Sequence, residues 1–368
     1  MKINIISLVI LASFLSGCNS VQPEITSTFT PVSTSIIQPT ETSVLLSTPT
    51  ISPTSTSLEI TTISKGNQVI IKGFYPTIVR WLFWSKDSEK LFIGTQDKGV
   101  VVYDMINKKM VANFESDSII AGLALSPDES IFAIAISGDD FISLIDSETG
   151  ELIRTLHISY YWPSGLSFSP DSKVLASYND RYKETILWDV ATGKEIKRLK
   201  NSAVRWFSFD GKSFTTSSSG DIFNIWDTNT WELQETVRCK ILGISSFSPD
   251  KNRFAVIETE TKEVSVWDFR SCKKLLNLSK TQPGPYSIAY STNGEYIAAG
   301  GFRDNDGKIN TVTIWDANTG KLIRDLTSIE HYDVTIMTSA FNFDGSKLAS
   351  VAQSESSGAV VIWDLTQQ

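Results

Sequence analysis

Side chains able to do catalytic or metal chemistry are scarce in this 368-residue chain: two histidines, His157 and His331, and three cysteines, Cys18, Cys239 and Cys272. A His/Cys metal site or an activated nucleophile needs several such groups at recognisable spacing. Neither histidine has a third ligand or a nucleophile beside it. No G-x-S-x-G elbow, P-loop, dinucleotide G-x-G-x-x-G or His-Glu-x-x-His occurs, so the common hydrolase, nucleotide and zinc-protease readings lack a motif. Asp304-Asn305-Asp306-Gly307 resembles the middle of a calcium loop, but Phe302 occupies its first ligand position and Thr313 stands where the closing glutamate belongs. A turn with solvated carboxylates is the better reading. The sequence thus predicts no enzyme, no metal and no cofactor. With 33 Lys and Arg against 41 Asp and Glu, formal charge −8, it lacks the basic surface that neutralises phosphates, and no nucleic-acid partner is expected.

The two ends of the chain differ in kind. Met1-Lys2 is positive and Ile3 to Leu15 largely apolar, a stretch too short for the roughly twenty residues a membrane-crossing helix needs, so residues 1–17 read as a secretory signal peptide. Ser16-Gly17 directly before Cys18 resembles the lipobox of bacterial lipoproteins. That resemblance implies a diacylglyceryl-modified, acylated (palmitate-type) Cys18 as the mature N-terminus, with the protein lipid-anchored in the cell envelope on the extracytoplasmic side. Residues 18–57 are dominated by Ser, Thr and Pro and carry little that could form a core, so they are expected to be a disordered tether.

Beyond the tether the chain repeats itself about every forty residues. Trp188-Asp189, Trp226-Asp227, Trp267-Asp268, Trp315-Asp316 and Trp363-Asp364 mark the repeat, with Tyr103-Asp104 and Ile145-Asp146 in the same frame upstream. A turn signal stands about twenty residues before each Asp, among them Pro127-Asp128, Pro170-Asp171, Asp210-Gly211 and Pro249-Asp250. Between the marks lie short, alternating, β-branched segments such as Thr185 to Trp188, and no sustained 3.6-residue apolar stripe. Four short strands per unit make the blade of a propeller, and the units resemble WD40 repeats. Asp-x-x-Thr-Gly turns at Asp146, Asp189 and Asp316 strengthen the resemblance.

The expected fold is therefore all-β: a seven-bladed WD40-like β-propeller over 58–368, with approximate blades 75–116, 117–158, 159–200, 201–238, 239–280, 281–328 and 329–368 plus 65–72. The last unit ends without an outer strand, while Asn67 to Lys72 has the length and alternation to supply one, so the N-terminal strand should close the ring. Within a blade the strands are named a to d, d being outermost. The resemblance implies a buried network of His, Ser or Thr, Asp and Trp, for which blade 3 offers His157, Ser177, Asp180 and Trp188, and blade 7 His331, Ser350 and Trp363. Blade 4 offers Ser217, Asp221 and Trp226. Cys239 falls in a d–a connection and Cys272 in a c–d turn, on opposite faces of a propeller and beyond the ~7 Å Cα separation a disulfide tolerates, so no disulfide is expected.

Propellers of this kind often bind partners on the face made by the d–a and b–c loops. Tyr160, Tyr161 and Trp162 fall there with Arg181 and Tyr182 of the same blade, and Phe74-Tyr75, Arg303 and His331-Tyr332 lie across the ring. Tyr, Trp and Arg dominate interface hot spots because they combine large buried area with a polar handle. The other possibility is that these aromatics fill gaps between blades. The expected function is a non-catalytic scaffold binding an unknown protein or peptide; the alternative is a small-ligand sensor or envelope enzyme using the central channel, with Arg181, Arg303 and Asp139-Asp140 as isolated polar groups near its mouth.

Overall fold

Strand signals dominate the sequence, and strands are what form. The computed structural model describes residues 60–74, 77–158, 163–219, 221–241, 243–278, 285–301, 311–327, 335–353 and 358–367, all within the unit Thr50–Gln368. They build seven antiparallel sheets and, among the described residues, no helix. Neighbouring a strands, such as Ile120–Leu125 and Pro163–Phe168, pack against one another, which places them innermost.

Burial follows position within the blade. Strands b and c are covered on both faces by adjacent blades, so Val100-Val101-Val102-Tyr103 is a continuous apolar run rather than an alternating one. Strand d, covered on one face, is mostly exposed, as in Leu152–His157. The apolar clusters lie between blades: Phe92 and Phe132, 5.5 Å apart and edge-on, join blades 1 and 2.

One polar device sets the a–b turns of blades 1 to 5. In blade 3 Ser169 Oγ donates to Asp171 Oδ1 at 2.6 Å and accepts from Val174 N–H at 2.9 Å, while the carboxylate accepts from Lys173 N–H at 3.1 Å. The Ser169 hydroxyl, more than any other group, holds Asp171 below the usual carboxylate range. The same hydroxyl–carboxylate pair recurs at Ser126–Asp128, Ser208–Asp210 and Ser248–Asp250. Its repetition explains why turn signals recur from blade to blade.

The ring closes through the N-terminal strand. Gln68–Lys72 pairs antiparallel with Gly358–Asp364, from Gln68 opposite Trp363 to Lys72 opposite Ala359. A further strand, Thr61–Lys65, unforeseen in the sequence, pairs outside Gln68–Lys72 and gives the last blade five strands. Its Thr62 hydroxyl lies 2.9 Å from Tyr103 Oη, tying the closing hairpin to blade 1.

Cys239 and Cys272 form a disulfide with Cα atoms 5.1 Å apart, which overturns the expectation that they could not meet. That expectation treated a blade as a flat sheet. Adjacent strands rotate by roughly 20–25°, so over four strands strand d lies steeply across strand a, and its end swings toward the c–d turn of the next blade. The approach recurs elsewhere. Arg154 in strand d of blade 2 donates to the carbonyls of Ala191 and Thr192 in the c–d turn of blade 3, and a Cβ on Gly320 would lie 3.1 Å from Leu278 of the preceding blade. Cys272 takes the slot that glycine fills in Asp-x-x-Thr-Gly, with φ +52° beside φ +71° at Gly193.

Candidate functional site

The d–a and b–c loops are held at the ends of rigid strands, and blade 3 projects the most informative of them. Strands Val174–Asn179 and Glu184–Asp189 are in register from Val174 opposite Asp189 to Asn179 opposite Glu184. Asn179 Oδ1 then accepts from Tyr182 N–H at 3.1 Å, and Lys183 adopts φ +52°. This turn carries Arg181 and Tyr182 outward: Arg181 Cζ sits 5.8 Å from the Tyr182 ring centroid, and Tyr182 is 45% exposed. The stacked pair presents a cation and a phenol from one short loop. Beside it Tyr178 Oη donates to Asp180 Oδ1 at 3.4 Å. Burial, reinforced by that carboxylate, pushes the Tyr178 hydroxyl above its ordinary value.

The polar network takes a different form from the one the resemblance implies. Trp188 Nε1 donates to Ser177 Oγ at 2.9 Å in a fully buried contact. His157 stands exposed at the end of its strand, its ring 6.4 Å from that of Phe141, and Asp180 is exposed at Tyr178, so neither reaches the Ser177–Trp188 pair. In blade 4 Trp226 Nε1 bonds Thr216 Oγ1 at 2.9 Å, not Ser217, whose hydroxyl accepts from Arg205 Nε. A one-residue offset moves a side chain to the other face of a strand, and Thr216, two residues past the partner of Trp226, is the counterpart of Ser177. In blade 7 Ser350 bonds Ser339 at 2.7 Å, and the buried Trp363 Nε1 finds no hydrogen-bond partner among the described residues.

Arg205 escaped the sequence reading. It is the extra residue of a bulge between Val204 and Trp206 on an innermost strand, and a charged residue in the first strand of a repeat was its only signal. Asp139, at the b–c turn of blade 2, is raised by burial and then by its neighbour Asp140. Phe74 is wholly buried in the core cluster shared by blades 7 and 1, so it fills a gap rather than meeting solvent. Cys18, Tyr75, Tyr160, Tyr161, Trp162, Arg303, His331 and Tyr332 lie outside the described residues. Among the described residues no group of three or more His, Cys, Asp or Glu could hold a metal ion, and no helix is long and apolar enough to cross a membrane.

Comparison with known proteins agrees with this architecture. Residues 222–355 match the family model described as eukaryotic translation initiation factor eIF2A. The chain is 26% identical to the human U3 small nucleolar RNA-associated protein 18 homolog over 61% of this chain and 44% of that protein. It is 28% identical to an uncharacterized WD repeat-containing protein of Synechocystis over 39% of this chain and 42% of that one. The chain thus spans less than half the length of these relatives. The β-propeller domain of Cps50 (Swd1) from Myceliophteria thermophila superposes with TM-score 0.61 at 16% identity, covering 83% of this chain and 99% of that domain. In fold, the chain is a WD40-repeat seven-bladed β-propeller.

Proposed function

We propose that the protein is a lipid-anchored, extracytoplasmic WD40-repeat scaffold that docks a protein or peptide on its d–a/b–c loop face and carries out no chemistry. The observation that carries the docking reading is the exposed, stacked Arg181–Tyr182 pair on a turn fixed by Asn179. A pre-organised aromatic and a guanidinium lose little freedom on binding, which is what a hot spot requires. Tyr160, Tyr161 and Trp162 of the neighbouring connection extend the same chemistry in sequence. The extracytoplasmic reading draws on the lipobox-like Ser16-Gly17-Cys18 and on the Cys239–Cys272 disulfide, a bond that persists in oxidising compartments.

Two measurements test it. Crosslinking and affinity capture from native cells should recover a partner with the full-length protein and lose it with the Arg181→Ala/Tyr182→Ala variant, while thermal unfolding shows that variant folded. Recovery of the same proteins by both would end the loop-face reading. Radiolabelled palmitate should enter the wild type and not Cys18→Ala; incorporation into neither would remove the anchor.

A further inference from the structure

At six of the seven junctions around the ring the a–b turn of one blade touches that of the next. Lys86 N–H donates to the Glu129 carboxylate, Asp128 N–H to Ser172 Oγ at 3.0 Å, Asn293 Nδ2 to Asp344 O at 3.1 Å and Asn342 Nδ2 to Ser88 Oγ at 3.0 Å. At two further junctions a proline closes on a glycine: a Cβ on Gly211 would lie 3.9 Å from Pro170 Cδ, and one on Gly294 3.5 Å from Pro249 Cδ. Between blades 4 and 5 the corresponding turn residue is Lys251, at φ +59°, whose ammonium can donate but not accept. The stitch is missing there, and a cavity of about 540 Å³ opens between the two blades, on the face opposite the d–a and b–c loops.

Its lining has two parts. Trp206, partly exposed, forms its apolar floor, backed by the buried Ile225 and by the buried Phe269 of the other blade, whose ring lies 5.6 Å from that of Trp206 and edge-on. Phe209, 80% exposed at the mouth, stands where blades 3 and 5 place Pro170 and Pro249 in their a–b turns. The charged groups are nearly all spoken for. Asp210 accepts from Ser208 Oγ at 2.6 Å, Asp250 from Ser248 Oγ at 2.5 Å and Asn252 N–H at 3.1 Å, and Arg270 is ion-paired with Glu235. Lys251 Nζ has no ion pair within reach among the described residues, although burial pushes its ammonium below the ordinary lysine range, with Asp250 only partly opposing this. A partly buried cation with no ion pair within reach, set beside aromatic side chains, recognises an anion joined to a flat apolar group. The disulfide at Cys272 pins the turn bearing Phe269 and Arg270, so the wall is formed before a ligand arrives.

We propose that the cavity between blades 4 and 5 is a binding site for a small aromatic carboxylate, its ring against Trp206 and Phe209 and its carboxylate on Lys251. The site is independent of the loop-face reading and survives its failure.

Titration calorimetry on the purified full-length protein tests it, with indole-3-acetate as probe and indole-3-acetamide as its uncharged isostere. The acid should bind saturably at one equivalent, at least about tenfold tighter than the amide, a factor equal to one decade of Kd. Lys251→Met, which keeps the apolar stem, should bind acid and amide equally; Lys251→Arg should retain the preference. Arg181→Ala/Tyr182→Ala, on the other face, should leave the titration unchanged. Equal binding of acid and amide by the wild type, no saturable binding tighter than about 1 mM, or an undiminished preference in Lys251→Met with its unfolding temperature intact would each overturn the proposal.

Discussion

The junction between blades 2 and 3 and the junction between blades 4 and 5 share one repeat frame and are closed by different means. At the first, Gly193 leaves room for Arg154 to lie across the c–d turn, and Ile158, just past strand d, is buried with its N–H on Asp140 O at 2.7 Å. At the second, Cys272 replaces the glycine and Cys239 stands in the place of Ile158, its N–H on Asp221 O at 2.8 Å. The end of one blade's strand d and the next blade's c–d turn meet at both, and the residue types there decide whether packing or a covalent bond holds them. On the a–b side the difference reverses: Ser172 stitches the first junction and Lys251 leaves the second open. Blades 4 and 5 are thus locked at one place and loosened at another.

The largest effect should come from cutting the lock. The disulfide closes a sequence separation of 33 residues, for which the chain-entropy relation gives about 4 kcal/mol. Calorimetry with and without reductant, or on Cys239→Ala/Cys272→Gly, should show a midpoint lower by about 6 °C. A shift under about 2 °C would mean that the aromatic cluster of Trp206, Phe223, Phe247 and Phe269 holds this junction without the covalent bond.

That lock also marks the limit of what the sequence revealed. Trp-Asp pairs and Ser-x-Asp turns each recur in five of the seven blades because the blades need the same turn chemistry, so strand order and ring closure were legible. The extra strand Thr61–Lys65 had a signal that went unused: Gly66-Asn67, a two-residue hairpin turn with Gly66 at φ +58°, flanked by β-branched residues. The cysteine pair was hidden for a geometric reason, since twist accumulates over four strands and no local pattern records it. Thr216 in place of Ser217 was hidden by a bulge between Ser217 and Ser219, which shifts which residue counts back to the tryptophan. The exposed position of His157 and the cavity at Lys251 depend on how neighbouring blades meet, and repeat spacing does not encode that.

The corrected register can be measured. Ser177→Ala leaves the buried Trp188 Nε1 without its acceptor, a loss of about 2 kcal/mol. Thr216→Ala should cost a similar amount in blade 4, whereas Ser217→Ala, which removes only the acceptor of Arg205 Nε, should cost less than about 1 kcal/mol. Denaturant midpoints with unchanged slopes would report these differences. If Ser217→Ala proved the costlier, the assignment of Thr216 as the tryptophan's partner would fail.

The smallest effect sharpens the contrast between Gly193 and Cys272. Gly193→Ala meets two penalties: a left-handed backbone at φ +71°, and a Cβ that would stand 2.5 Å from Arg154 Cδ. The backbone penalty is about 1 kcal/mol and cannot be relieved by neighbours. The steric one can, because Arg154 is a flexible side chain whose guanidinium holds two carbonyls at a surface. A double-mutant cycle with Arg154→Ala separates the two, and the coupling should be about 0.5 kcal/mol or less. Cys272 already carries a side chain at φ +52° in the same slot, so the backbone cost is tolerable where a bond to strand d offsets it. A coupling well above 1 kcal/mol would instead place the need for glycine in the space that Arg154 occupies, and the two junctions would then differ by packing volume rather than by backbone conformation.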